Sequence, residues 1–310
     1  MEGSRVLRLT YRAGKLQPEL LGRLAKLPGG GRRFLTAPAS IDWEGRRLVL
    51  QLWSGQLELQ LPWRALSWLR DREREVEPLK PVKLALLRWR ESALEVRVIL
   101  KVQRPKPERP NHRRALLVYV RAAEYGFAVI TASYDEEYTK IYEAMKFVPR
   151  AVRLRLAKRA GEDVNREDMN QALEDYSPRR WVEAAAAAIF AKARWRARGR
   201  SILMNIDAPG SETRGVPRSR FRRALLSIRE VAENLANWHG VYATFESHPS
   251  SECPLCGREL RELGTGLVRI VQCECGFYED GDYVPFYHWF KELGLPLPKY
   301  PIRQLPKPEA

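Results

Sequence analysis

The sequence predicts a mostly β, barrel-like N-terminal domain, followed by an α/β domain that carries a small inserted module. Short segments of alternating apolar and polar residues fill the first 102 positions, and this pattern is typical of β-strands. After position 112, strand-like and helix-like segments alternate, as they do in α/β domains. All four cysteines lie between positions 253 and 275, which marks the inserted module.

The N-terminal domain is predicted to span residues 1–102. Turn signals at 44–45 and 54–55 separate its strand-like segments, so a barrel or an open sandwich is expected. Its tryptophans could fill the core or stack on nucleic-acid bases, and the sequence leaves both roles open. The predicted strands are Val6–Leu9, Leu48–Leu52, Leu57–Leu61, Val82–Leu87 and Leu94–Val102, and the tryptophans are Trp43, Trp53, Trp63, Trp68 and Trp89.

Residues 103–112 form a polar, proline-punctuated segment, QRPKPERPNH. Such composition is typical of a linker between domains. At the other end of the chain, residues 296–310 are again rich in proline, and a stiff, disordered tail is expected there.

The α/β domain begins with two buried strands, Ala115–Val120 and Gly126–Ala132, which we expect to pair as a hairpin. A long helical stretch should follow. Within it, Ser177-Pro178 is a helix start signal and Gly199 a stop signal. The remaining predicted elements are a strand at Ser201–Ile206, a loop at 207–217, a helix at Ser219–Trp238 and a strand at Val241–Phe245.

The chain is strongly basic, with 54 Lys and Arg against 38 Asp and Glu and a formal net charge of +16. This excess of arginine favours a phosphate-rich partner, RNA or DNA. A thermophile's ion-pair surface is the alternative explanation, but it needs no large excess of one sign. The candidate nucleic-acid contacts are Lys192, Arg194, Arg196, Arg198, Arg200, Arg218, Arg220, Arg222 and Arg223.

No apolar run approaches the ~20 residues that cross a bilayer. Residues 1–14 mix arginines with apolar residues and lack the continuous hydrophobic core of a signal peptide. We therefore expect a cytoplasmic protein without a membrane partner.

The cysteines form two closely spaced pairs, Cys253-x-x-Cys256 and Cys273-x-Cys275, each followed by glycine. Paired thiols at such spacing are typical zinc ligands, because each pair fits one tight turn. The stretch between the pairs, residues 258–272, is predicted to be a hairpin. A structural Zn²⁺ in a zinc ribbon at residues 251–276 is the expected outcome, and a reactive dithiol pair is the alternative.

Two segments resemble a known family. GVYATFESHPSSECPLCG resembles the segment in which a strand runs through a proline and a serine or threonine into C-x-x-C-G, and CGFYEDGDYV resembles the segment that precedes a catalytic aspartate. These are segments of the TnpB family, transposon-encoded RNA-guided nucleases related to type V CRISPR effectors. The resemblance implies a RuvC-like (RNase H-like) domain at residues 113–250 and 277–295, interrupted by the zinc ribbon.

The family's chemistry, as the resemblance implies it, is hydrolysis of DNA by two Mg²⁺ ions held on three carboxylates. The resemblance implies an Asp on the first strand, a Glu on the strand after the basic helices and an Asp just after the zinc ribbon. In this sequence Arg121 stands at the first of these positions and Asn205 at the second. The third survives as Asp282, with Asp280 as a neighbouring alternative. A cation at the metal site would repel Mg²⁺ by several kcal/mol at ~4 Å. We therefore expect no Mg²⁺ and no nuclease activity.

The predicted function is a nuclease-inactive, TnpB-like nucleic-acid-binding protein, with RNA-guided binding of DNA as one form of it. The first alternative is a sequence-independent nucleic-acid-binding or structural subunit of a larger ribonucleoprotein, because residues 1–101 are too short and strand-rich for the long helical insertion of family members. The second alternative is an active Mg²⁺-dependent endonuclease with a shifted site built from Glu124, Asp207 and Asp282.

Overall fold

The computed structural model describes residues 2–12, 35–52, 55–75, 85–90, 93–103, 107–135, 138–174, 176–208, 224–225, 227–263, 268–302 and 305. The chain divides into two compact units. The first consists of residues 1–106 with 237–240, and the second of residues 107–236 with 241–310. The division at 106/107 falls inside the segment that was predicted to be a linker.

The first unit contains two antiparallel sheets and a helix. One sheet has the strand order β1-β7-β6-β2 and the other the order β3-β4-β5. The elements are β1 (Glu2–Arg12), β2 (Leu35–Ala37), β3 (Ala39–Asp42), β4 (Arg47–Leu52), β5 (Gly55–Gln60), α1 (Trp63–Glu75), β6 (Ala85–Arg90) and β7 (Ala93–Gln103). The described strands thus form two separate sheets, which fits the predicted open sandwich better than a closed barrel.

Helix α1 was missed in the sequence. Its apolar residues Ala65, Leu66 and Leu69 recur at helical spacing and are buried in the core of this unit. Of the tryptophans, Trp43 and Trp68 pack against that core, whereas Trp63 is 66% exposed. Trp53 and the side chain of Trp89 lie outside the described residues.

The second unit is organised around a mixed sheet with the strand order β10-β9-β8-β11-β12. The first three strands pair antiparallel, and β11 runs parallel to both β8 and β12. These strands are β8 (Leu116–Ala123), β9 (Gly126–Asp135), β10 (Tyr138–Phe147), β11 (Ile202–Asp207) and β12 (Tyr242–Thr244). The predicted hairpin of the first two strands and the two later strands are confirmed.

Strand β10 contradicts the prediction of a continuous helical stretch after β9. It pairs with β9 along its length, and its apolar side chains pack on both faces of the sheet, Ile141 and Ala144 on the face of α6 and Met145 on the opposite one. Helices begin only at Arg150. The described helices of this unit are α2 (Arg150–Arg159), α3 (Arg166–Glu174), α4 (Pro178–Ala197), α5 (Ile228–His239, whose last three residues are assigned to the first unit) and α6 (Val284–Glu292).

The two faces of the mixed sheet bury different partners. Leu116, Val118 and Val120 of β8 pack on one face against α4 and α5. Leu117 and Tyr119 point to the opposite face and pack against α6 and the cysteine-containing module. Because side chains alternate along a strand, this parity also assigns the polar residues of β8 and β11 to one face or the other.

The cysteine-containing module has a small antiparallel sheet, β13 (Arg261–Glu262), β14 (Ile270–Gln272) and β15 (Tyr278–Asp280). The predicted hairpin between the cysteine pairs is confirmed by the pairing of β13 with β14. Residues 264–267 lie outside the described residues.

The expectation of a disordered tail is wrong for residues 296–302. The Ile302 N–H donates a hydrogen bond of 2.7 Å to the buried Glu279 carboxylate. The Tyr300 ring lies 5.1 Å from that of Phe277, and the Pro296 carbonyl accepts a 2.8 Å bond from Thr139. None of the described helices is both long and apolar enough to cross a membrane.

Candidate functional site

The four cysteines come together at the two turns that carry them. Sγ of Cys253 lies 3.5 Å from Sγ of Cys275, and the same distance separates Cys256 from Cys273. All four sulfur atoms lie within 4.8 Å of one another. The edge of a tetrahedral site with Zn–S bonds of about 2.3 Å is about 3.8 Å, so the thiols are close enough together to bind a zinc ion.

Both turns bend at a glycine directly after their second cysteine, and their thiols differ in pKa: burial raises the pKa of Cys253 to about 12, and the pKa of Cys273 is also raised. Gly257 and Gly276 have φ angles of 74° and 91°, in the left-handed region that favours glycine. A backbone hydrogen bond from Arg258 lowers the pKa of the Cys256 thiol to about 7. Thiolate is the form that binds metal, so the turn favours the required protonation state at Cys256.

A row of residues crosses the mixed sheet through Arg121, the first of the positions that the family resemblance singled out. In the strand register, Asp207 of β11 is level with Arg121 of β8, Arg121 with Ala128 of β9, and Ala128 with Lys146 of β10. Their parity assigns these side chains to the face that packs against α6. We call Asp207, Arg121, Ala128 and Lys146 the cross-sheet row. The residue of β11 that is level with Arg121 is therefore Asp207, whereas Asn205 is level with Tyr119.

Lys146 binds both aspartates that follow the cysteines. Its Nζ lies 2.7 Å from Asp280 Oδ2 and 2.6 Å from Asp282 Oδ2. The Lys146 side chain is 12% exposed, and those of Asp280 and Asp282 are 3% and 15% exposed. Burial raises the pKa of Asp280, and the ammonium opposes that rise. The Asp282 carboxylate, which the family resemblance assigned to the third metal-binding position, is thus paired with the Lys146 ammonium.

Arg121 is half-buried on β8, and its Nη1 is buried without a hydrogen-bond partner among the described residues. Its charge lowers the pKa of Tyr119, although burial raises that pKa far more. The guanidinium therefore lies near the Tyr119 hydroxyl, which itself donates a 2.7 Å hydrogen bond to Asp207 Oδ2.

Asn205 is completely buried and acts as a backbone clamp. Its Nδ2 donates to the Glu246 carbonyl at 2.9 Å, and its Oδ1 accepts from the Glu246 N–H at 3.1 Å and from the Thr244 hydroxyl at 2.8 Å. Both ends of the amide are occupied by the protein, so Asn205 holds the chain after β12 and presents no free oxygen for a metal.

The three carboxylates of the alternative, shifted metal site, Glu124, Asp207 and Asp282, do not come within 4.8 Å of one another as a group. Glu124 is exposed in the turn between β8 and β9, Asp207 bonds to Tyr119, and Asp282 bonds to Lys146. Among the described residues, two groups bring three or more His, Cys, Asp or Glu ligand atoms within 4.8 Å of one another, namely the four cysteines and the trio Glu246, His248 and Glu292.

The basic end of α4 is only partly free for a ligand. Lys192 is ion-paired with Glu143. Arg194 is half-buried, whereas Arg198 and Arg200 are exposed beyond the helix end. Trp195 is 64% exposed. The predicted contacts Arg218, Arg220, Arg222 and Arg223 lie outside the described residues.

The part of this surface that β10 supplies was not predicted from the sequence. Tyr142 is the extra residue of a β-bulge, and three cations surround its ring: Lys140 at 5.5 Å, Arg196 at 5.8 Å and Arg200 at 5.7 Å from the centroid. A hydrogen bond from Ser133 and the nearby Arg200 lower the pKa of Tyr142. The period-two spacing of Tyr138, Lys140 and Tyr142 was the signal that could have identified this strand.

Several solved structures are similar to this chain. CasPhi-2 (Cas12j) bound to crRNA matches with a TM-score of 0.45 and 10% identity over 96% of this chain and 78% of that chain. The Cas12f1–sgRNA–target DNA complex matches with a TM-score of 0.34 and 12% identity over 91% of this chain and 66% of that chain. The mini RNA-guided endonuclease CRISPR-Cas phi3 matches with a TM-score of 0.44 and 10% identity over 81% of this chain and 58% of that chain.

No protein-family model and no curated protein matches the chain.

Proposed function

We propose that this chain is a TnpB-like nucleic-acid-binding protein that does not cut nucleic acid. The observation that carries the proposal is the cross-sheet row: Arg121 stands on the strand where the family resemblance implies the first carboxylate, and Lys146 pairs with Asp280 and Asp282, the candidates for the third. The strand order β10-β9-β8-β11-β12, with three antiparallel strands followed by two parallel ones, supports the RuvC-like (RNase H-like) class.

The electrostatics of the row oppose binding of two Mg²⁺ ions. Each Mg²⁺ needs oxygen ligands, carboxylates above all. Asp280 and Asp282 are already neutralised in part by Lys146, and Mg²⁺ would have to displace that buried ammonium. Arg121 adds a second positive charge between Asp207 and Lys146 in the strand register. The protein's own cations therefore take the role that metal ions have in an active nuclease.

The nucleic-acid-binding surface that we propose combines the end of α4 with the bulge of β10. Arg196, Arg200 and Lys140 offer positive charge around Tyr142, and the exposed ring of Trp195 offers a stacking platform. The net charge of +16 adds long-range attraction to phosphate.

The partners that we propose are a guide RNA and a DNA target, as in the similar structures, which hold crRNA, or sgRNA with target DNA. Purified protein should then carry one abundant, structured RNA, identified by sequencing the co-purified nucleic acid. A heterogeneous mixture of fragments would instead support the sequence-independent subunit of a ribonucleoprotein.

A salt titration tests the binding surface. Each phosphate contact contributes about 0.9 to the slope of log K against log salt concentration, so Arg196→Gln with Arg200→Gln should reduce that slope by roughly 2. The matched control is Arg179→Gln with Arg180→Gln, the same charge change in exposed residues at the first turn of α4. An equal loss in both double variants would mean that the end of α4 is not the binding surface.

We also infer that the four cysteines hold one structural Zn²⁺. The donor set of four thiols, their near-tetrahedral spacing and the two glycine-supported turns fit a closed zinc site. Bound zinc would fix the module against the sheet face that carries Leu117 and Tyr119.

A further inference from the structure

A second cluster of metal-binding side chains lies where the chain leaves β12. Glu246 and His248 follow that strand, and Glu292 is the last residue of α6. Their ligand atoms lie within 4.8 Å of one another. The His248 side chain is 6% exposed, while that of Glu292 is 58% exposed, so a buried imidazole faces a solvent-accessible pair of carboxylates. This trio is separate from the cysteines and from the cross-sheet row.

The hydrogen bonds of Tyr119 assign the proton on His248. The single hydroxyl proton of Tyr119 is donated to Asp207 at 2.7 Å. The contact of 3.1 Å between the same hydroxyl and His248 Nδ1 therefore needs an N–H on Nδ1 as its donor. In the neutral imidazole the lone pair then lies on Nε2, on the side of the ring that faces Glu292.

Nε2 of His248 lies 3.0 Å from Oε2 of Glu292. Two lone pairs at this distance repel each other unless a cation lies between them, either a second ring proton or a metal ion. Two ligand atoms that are each about 2.1 Å from a shared metal and meet it at nearly a right angle are about 3.0 Å apart. The separation therefore fits a metal-bound pair as well as an ion pair.

We propose that Glu246, His248 and Glu292 bind one divalent transition-metal ion, such as Mn²⁺ or Zn²⁺. One imidazole with two carboxylates suits these ions, whereas Mg²⁺ and Ca²⁺ prefer oxygen ligands alone. The bound ion joins the segment after β12 to the end of α6, and its open coordination positions face solvent because both carboxylates are exposed.

The residues behind the ligands support the proposal. The Asn205 amide holds the backbone of Glu246 at both its N–H and its carbonyl, and Tyr119 holds the ring of His248. Asn205 and Tyr119 are level with each other on neighbouring strands. Groups that hold metal ligands in this way orient them and fix the histidine tautomer.

The experiment is an electron paramagnetic resonance titration of the full-length, zinc-loaded chain with Mn²⁺, an ion that does not displace zinc from thiolates. One saturable Mn²⁺ per chain is expected, and it should be lost in His248→Ala and in Glu292→Gln. Tyr119→Phe, which keeps the ring and removes the hydroxyl, should weaken binding by about 10–100-fold. Glu233→Gln, at an exposed position on α5, is the matched control and should bind as the wild type does.

Two results would overturn the proposal. Absence of saturable Mn²⁺ in the wild type would mean that His248 and Glu292 form an imidazolium–carboxylate pair alone. Mn²⁺ binding that survives Glu292→Gln and His248→Ala but is lost in Asp282→Asn would place the ion at the aspartates that pair with Lys146, beside the cross-sheet row. Only this second result would also contradict the proposed loss of the nuclease, so the two proposals fail in distinguishable ways. Zinc content and circular dichroism report whether each variant is folded.

Discussion

The cysteine cluster and the cross-sheet row differ in what their donor atoms meet. In the cluster, four sulfurs of like chemistry converge on one point and lie within 4.8 Å of one another. In the row and beside it, each acid meets a partner from the protein: Asp207 meets the Tyr119 hydroxyl, and Asp280 and Asp282 meet the Lys146 ammonium. The difference teaches that donor type alone does not define a metal site: the sulfurs converge on one another, whereas the two aspartates converge on a protein cation, Lys146.

The largest expected effect comes from breaking the cluster. Cys273→Ser removes a buried ligand, so bound zinc should fall well below one per chain and the fold of residues 251–276 should be lost, because structural zinc supplies about 10 kcal/mol or more of folding free energy in small modules. Metal analysis and thiol titration measure this. A wild-type chain with far less than one zinc and freely titrating thiols would remove the basis of the comparison.

The next largest effect concerns the cation in the row. Lys146→Ala leaves two buried carboxylates without their partner, and the free energy of unfolding should fall by about 3–5 kcal/mol. Arg258→Ala is the control, since it breaks an ion pair with Glu274 whose side chains are 67% and 85% exposed. Such a pair contributes about 0–1 kcal/mol. Similar losses in both variants, measured by urea unfolding, would show that Lys146 is an ordinary surface residue.

A smaller effect is expected at Asn205. Asn205→Ala removes the buried amide that holds the part-buried Glu246 N–H and carbonyl, which should cost about 1–3 kcal/mol. Asn205→Asp keeps the acceptor and loses the donor, so it should restore part of the loss at most. Thermal unfolding of the three proteins gives the ranking, and an Asn205→Ala variant as stable as the wild type would show that the clamp is unimportant.

The sequence was sufficient to predict those features that depend on residue type and short spacing. The cysteine pairs, the first hairpin of the sheet, the start of α4 at Ser177-Pro178 and its end before Gly199 are local signals, and the structure has these elements at those positions. The family resemblance also singled out Arg121 and Asp282; Arg121 lies in the cross-sheet row, and Asp282 binds Lys146 of that row.

What the sequence could not give depends on contacts between distant residues. Lys146 lies 136 positions from Asp282, and β10, which carries it, was expected to be helical because its apolar residues fit either period. Likewise, the level pairing of Asp207 with Arg121 is a property of strand register, and the partners of Tyr142 come together across β10 and α4. Pairing of this kind is invisible in local patterns.

The central claim, that protein cations have replaced the metal ions of a RuvC-like site, is tested most directly by DNA cleavage. The wild-type chain, with any co-purified RNA retained, is incubated with single- and double-stranded DNA in Mg²⁺ or Mn²⁺ beside the Asp282→Asn and Asp207→Asn variants. The account predicts that all three proteins leave DNA intact at the level of a buffer control. Metal-dependent cutting by the wild type that disappears in either variant would contradict it.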